Sequence, residues 1–175
     1  MSFSLIICLE KVFEPPFDLP VIEPDPDRSE EEERVWREAR LVEAKDAARR
    51  AFRRDLSMRT IRFVVVVLRQ AGAVWAAPTP ASSVTRERWG PNGEVADYKL
   101  RTKDHWLLFP EECRVLGSRL GEWLLSGVHC VESEGHCYDL GPKAKSKYDR
   151  EARAMLEGLA AFFLLAAQHQ GLEVH

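Results

Sequence analysis

The run Leu159-Ala160-Ala161-Phe162-Phe163-Leu164-Leu165-Ala166-Ala167 constrains this chain more than any other stretch. Wound as a helix it is apolar on nearly every side, so other elements must surround it or a partner subunit must complete it. It falls far short of the roughly 20 residues needed to cross a bilayer. Ser146 with Asp149 offers a capping box for the helix that carries it, and Gly171 offers a stop. A helix from 146 to about His169 is expected, with a terminal strand over Leu172-Glu173-Val174. A chain of 175 residues, 45% hydrophobic, can enclose that helix in one core and is short for two, so residues 1–175 read as a single domain.

The remaining elements are placed by their punctuation. Residues 1 to 10 hold an apolar run without a basic leader or cleavage site and read as a first strand. Residues 14–28 carry Pro15, Pro16, Pro20, Pro24 and Pro26 among acids, which favours an exposed extended loop. Ser29 with Glu32 is a capping box for a helix expected to reach about Leu56, with Val35, Trp36, Ala39, Val42, Ala48, Phe52 and Leu56 as its apolar stripe. Residues 58–71 fit strand through Val64-Val65-Val66-Val67 and helix through Met58, Ile61, Val64, Val65 and Leu68 opposite Arg59, Arg62 and Arg69. Ser57 as cap and Gly72 as stop favour helix. A Pro/Ser/Gly-rich loop follows over 76–93, then two strands, Val95 to Leu100 and His105 to Phe109, around a polar turn. Pro110-Glu111-Glu112 opens a helix whose inner stripe is Cys113, Leu116, Leu120 and Trp123, with Gly117 and Gly121 placed for close approach of a neighbour. The expected fold class is α+β: a small antiparallel sheet packed against three to four helices, a long N-terminal helix among them.

Charge is strongly local. Residues 10 to 38 carry eleven acids and four bases, residues 40 to 70 three acids and nine bases, and the whole chain is at −3. No global positive field would draw it to nucleic acid or acidic lipid. Arg49, Arg50, Arg53 and Arg54, near the end of the expected first helix, are candidate partner contacts, although such a run commonly complements the helix dipole. Trp89 is a candidate aromatic anchor in its loop.

The segment His129-Cys130-Val131-Glu132-Ser133-Glu134-Gly135-His136-Cys137-Tyr138-Asp139 concentrates the reactive side chains. Ser133-Glu134-Gly135 as a three-residue bulged connection would place Cys130, Glu132, His136 and Tyr138 on one face and His129, Val131, Cys137 and Asp139 on the other. That split argues against a four-ligand zinc from the hairpin alone. The remaining metal reading takes Cys130 and His136 with a ligand from His105, Cys113 or His169. The face with Cys137, His129 and Asp139 is the candidate for a thiol nucleophile activated by an imidazole and a carboxylate. A Cys130–Cys137 disulfide would require a two-residue Ser133-Glu134 turn to bring the two opposite each other, a turn composition that is disfavoured. Four irregularly spaced cysteines in a domain of this size read as reduced and cytoplasmic, and no cofactor is expected.

Ala71-Gly72-Ala73-Val74-Trp75, Phe109-Pro110-Glu111-Glu112-Cys113 and Gly171-Leu172-Glu173-Val174 together resemble small single-domain bacterial immunity proteins. The resemblance implies a cytoplasmic inhibitor that occludes the active site of a cognate toxin. A protein partner is therefore the leading expectation. A small thiol or metal enzyme is the first alternative. The second is a non-catalytic subunit of a larger complex, or a homodimer formed through the last helix.

Overall fold

The computed structural model describes residues 2–8, 29, 31–32, 34–36, 39, 52–79, 89–102, 106–127 and 130–175. Eight strands are described: β1 (Ser2–Ile7), β2 (Arg53–Ser57), β3 (Val74–Trp75), β4 (Val95–Ala96), β5 (Trp106–Leu108), β6 (Cys130–Ser133), β7 (His136–Asp139) and β8 (Leu172–Val174). The helices described end to end are α1 (Met58–Gln70), α2 (Tyr98–Arg101), α3 (Pro110–Leu125) and α4 (Lys147–Ala166), and residues 31–32, 34–36 and 39 are also helical. Strands β2, β1, β8 and β5 form the main sheet in that order, every neighbour antiparallel. Mixed helix and small antiparallel sheet is the expected class. No helix among the described residues is long and apolar enough to cross a membrane.

Alternation along the central strands decides where the core lies. Phe3, Leu5 and Ile7 of β1 are buried, as are Leu172 and Val174 of β8 and Leu108 of β5. Each strand thus sends every second side chain to one side of the sheet. Ile61, Val64, Val65 and Leu68 of α1, Cys113, Leu116 and Leu120 of α3, and Leu159, Phe162, Phe163 and Ala166 of α4 belong to the same apolar cluster. The all-apolar run is buried over most of its girth, but Ala161 is exposed and Leu164 is 39% exposed, so it forms a broad face and not a fully enclosed rod.

Local signals placed α1, α3 and β8 well. Ser57 caps α1 by accepting from the Thr60 amide at 3.0 Å, and Gly72 beyond its end has φ +64°. Pro110 opens α3, where the Glu112 carboxylate accepts from the Phe109 amide at 2.9 Å. The Ser29–Glu32 capping box is present, with the Ser29 amide and hydroxyl both donating to Glu32. Most of the long helix expected behind it, and the 14–28 loop, lie outside the described residues.

Two expectations are corrected. The first helix was expected to reach Leu56, but Arg53–Ser57 is strand β2, paired with β1 from Ser2↔Ser57 to Ile6↔Arg53. The hydrogen-bonding edge of β1 and partial burial of Leu56 override the helical stripe, and the exposed charges of β2 suit an edge strand. The two strands expected around the 101–104 turn do not pair with each other. Only Val95–Ala96 is extended, lying parallel to β3, and Tyr98–Arg101 turns helical. Strand β5 instead joins β8 in the main sheet.

Of the two glycines expected to admit a neighbour, Gly117 does so and Gly121 does not. A Cβ on Gly117 would lie 2.7 Å from Leu164 Cγ and 2.9 Å from the Ala160 carbonyl oxygen of α4, whereas one on Gly121 would meet nothing within 4 Å. Gly117→Ala is expected to destabilise the fold by about 1–3 kcal/mol through overpacking. Gly121→Ala should stabilise it by up to about 1 kcal/mol through helix propensity. Urea unfolding of the two variants side by side tests the packing of α3 on α4; equal effects would show that it is wrong.

Candidate functional site

The β6–β7 hairpin turns through two residues, Glu134 at φ +51° and Gly135 at φ +75°, both left-handed. This is the primed turn that matches strand twist, and it shifts the expected register by one residue. The pairs are Cys130↔Asp139, Val131↔Tyr138, Glu132↔Cys137 and Ser133↔His136. Cys130, Glu132, Cys137 and Asp139 therefore share one face, and Val131, Ser133, His136 and Tyr138 the other. The three-residue connection and its face assignment are corrected. A left-handed Glu134 was the conformation that sequence reasoning passed over.

In the observed register the two cysteines are diagonal neighbours with Cα atoms 6.2 Å apart, and they form a disulfide. The expectation of four reduced cysteines is corrected for this pair. Neither Cys137, the candidate nucleophile, nor Cys130, the candidate metal ligand, carries a free thiol. Cys137 and Asp139 lie on one face as expected, but His136 is on the face opposite Cys130, and His129 and His105 lie outside the described residues. No three His, Cys, Asp or Glu side chains are grouped to hold a metal among the described residues. Of the remaining thiols, Cys113 is buried and donates to the Leu108 carbonyl at 3.6 Å. Burial, reinforced by the neighbouring Glu112 carboxylate, pushes its thiol far above the ordinary range. Burial and Glu173 raise that of Cys8 as well.

The buried face of the hairpin rests on α1. Val131 is fully buried and the Tyr138 ring lies 4.6 Å from that of Phe63. This seat puts Glu134, at the tip, against α1, where its two carboxylate oxygens meet Arg59 Nε at 3.1 Å and Arg62 Nη1 at 3.7 Å. On a helical period, residues 59, 62, 66 and 69 fall within one arc, about 15 Å long from first to last. Arg59 and Arg62 are exposed over 70% and 68% of their side chains.

At the far end of this arc Arg69 reaches Asp97, which is fully buried and also receives Arg101 Nε at 3.0 Å and the Ala77 amide at 3.2 Å. Two half-exposed guanidiniums thus compensate one buried carboxylate. Beside it Lys99 is buried completely, its ammonium donating to both Glu112 oxygens at 2.8 and 2.7 Å and to the Leu107 carbonyl at 3.1 Å. Glu112 is fully buried too, so this pair is architecture and not contact surface.

The candidate contacts inferred from sequence that are described, Arg53, Arg54 and Trp89, are dispersed. Arg53 lies on the outer side of β2, hydrogen-bonded to Asp55 at 3.0 Å and to Ser4 at 3.1 Å. Arg54 points to the other side, 5.4 Å above the Phe162 ring. Arg49 and Arg50 lie outside the described residues. Trp89, 37% exposed, bridges to Val95 near the C-terminal end of α1. There Arg119 ties the Gly72 and Asn92 carbonyls together. Among the described residues, the arginines that share a surface are Arg59, Arg62, Arg69 and Arg101. The first three were legible as the polar side of the 58–71 helix; nothing in the sequence added Arg101.

No family model, curated protein or solved structure matches this chain.

Removing one member of a buried, fully hydrogen-bonded ion pair strands its partner. Lys99→Met is therefore expected to cost about 3–5 kcal/mol of stability, whereas Arg59→Ala should cost less than about 0.5 kcal/mol; chemical denaturation compares them. For Cys113 the folded value lies above the unfolded one, so its contribution is intact below the ordinary thiol range. It declines from about pH 9 upward, as the unfolded chain sheds the proton first. Cys113→Ala should flatten that alkaline decline in urea titrations run across the range.

Proposed function

We propose that this chain is a protein-binding inhibitor of the immunity type, acting in the cytoplasm, and that the arginine row of α1 is its contact surface for an acidic rim around the active site of a toxin. The observation that carries this reading is the surplus of guanidinium over carboxylate on one exposed face. Among the described residues, Arg59, Arg62, Arg69 and Arg101 are matched there by Glu134 and Asp97 alone. On a chain whose net charge is −3 such a row is a local feature, and it steers one kind of surface without attracting polyanions in general.

The chemistry of the row suits recognition. Arginine is enriched at binding hot spots because its planar fork holds carboxylates bidentately and sheds water readily. Arg69 and Arg101 are already oriented by Asp97, which lowers the ordering cost of engaging a partner. Trp89 supplies an aromatic surface near the same end of the helix.

The test is co-expression in bacteria with the product of the adjacent reading frame, together with direct binding. Growth arrest by that product is expected to be relieved by this chain. Arg59→Glu with Arg62→Glu should weaken the complex by at least about tenfold while leaving the melting temperature unchanged, because both side chains are exposed. Failure of this chain to bind or protect, or tight binding that ignores the charge reversal, overturns the assignment.

A further inference from the structure

We infer that the Cys130–Cys137 disulfide is a reversible latch that holds Glu134 over Arg59 and Arg62 and so regulates access to the arginine row. The inference rests on the contact surface proposed above. Its first support is where the disulfide sits relative to the hairpin's anchor. The Val131↔Tyr138 pair is the rung seated on α1, with Val131 fully buried. Cys130 lies on the base side of that rung and Cys137 on the tip side, so the diagonal bond ties tip to base across the anchor.

Beyond the anchored rung the tip is held, apart from the disulfide, by the exposed Glu134 ion pairs and by the His136 ring 4.5 Å from that of Tyr138. Glu132, Glu134, Gly135, His136 and Cys137 are exposed, and the hairpin pairs with no third strand among the described residues. Two-stranded ribbons of this length are marginal by themselves. The turn moreover places a residue with a Cβ, Glu134, at φ +51°, a conformation that relaxes when its surroundings let it. Glu134 is also the carboxylate that occupies Arg59 and Arg62. An acidic partner must displace it. A tip held in place competes with that partner, and a loosened tip does not.

Both cysteines are exposed, so a dithiol reductant reaches them. Its thiolate bonds to one cysteine sulfur as the S–S bond breaks. The reductant's second thiol then releases that cysteine and the reductant leaves as its own disulfide. Two electrons pass to the chain, and Cys130 and Cys137 each end with one proton.

The probe is a labelled poly-glutamate peptide titrated at low salt against the oxidised chain, the dithiothreitol-treated chain and the Cys130→Ser/Cys137→Ser variant, with amide exchange followed over residues 132–137. Reduction and the double variant are expected to speed tip exchange at least about tenfold and to tighten peptide binding about threefold, the scale of one exposed ion-pair cluster. Glu134→Gln in the oxidised chain should tighten binding equally without changing exchange. If Glu134→Gln tightens binding while reduction alters neither quantity, the latch is overturned and the arginine surface stands. If no form binds the peptide, the arginine surface falls, and the latch, which rests on it, falls with it.

Discussion

The ammonium of Lys99 is the point on which the architecture turns. It has three protons and, in a fully buried position, three acceptors: both Glu112 oxygens and the Leu107 carbonyl. The Phe109 ring lies 5.3 Å away, and the Phe109 amide satisfies Glu112 from the other side. One group thereby fastens α2 to the last strand of the main sheet and to the first turn of α3. Burying two charges is costly, and the site is tolerable because every donor on the ammonium is met. The neighbours of Lys99 extend the arrangement. Tyr98 packs with Trp106, Ala77 and Ala96 in a small satellite cluster, Leu100 enters the main core, and Asp97 draws in Arg69 and Arg101. Four consecutive residues, 97 to 100, are buried, each in a different environment.

This geometry explains why the strand expected over Val95 to Leu100 stops at Ala96. Its apolar content, Val95, Tyr98 and Leu100, fits an extended run. A helical turn instead lets Asp97 and Arg101 meet at i,i+4 and brings Lys99 toward Glu112, and no local pattern announces a partner thirteen residues away. The same contrast runs through the chain. Ser57, Gly72, Pro110 and Gly171 act within a few residues of themselves, and the elements they bound were legible. Arg53–Ser57 becomes a strand because β1 offers it an edge, which is a tertiary fact. In the hairpin the difference was a single φ: a right-handed Glu134 separates the cysteines onto opposite faces, and a left-handed one joins them.

Arginine serves two purposes here, and the partner of each guanidinium separates them. Arg119 donates to the Gly72 and Asn92 carbonyls, Arg153 to those of Leu124 and Leu140, and Arg101 to that of Ala77. These carbonyls belong to helix ends and connections, where regular structure leaves acceptors unmatched. Arg59 and Arg62 make no such bond to the backbone among the described contacts; their partner is a surface carboxylate on a different element. Replacing one of the first group would open a connection, whereas the second group is dispensable to folding.

That distinction gives the hairpin its significance. An exposed ion pair contributes little to stability, and a two-residue turn at left-handed φ is not the cheapest way to join two strands unless glycine or asparagine fills both places. Glu134 occupies the first place with neither advantage. What it gains is position: a shorter or right-handed residue would not reach both guanidiniums from the tip of a ribbon seated on Phe63. A conformational cost borne at a surface contact of small energetic worth is the pattern expected where a residue is kept for what it covers, and what it covers here is the exposed half of the arginine row.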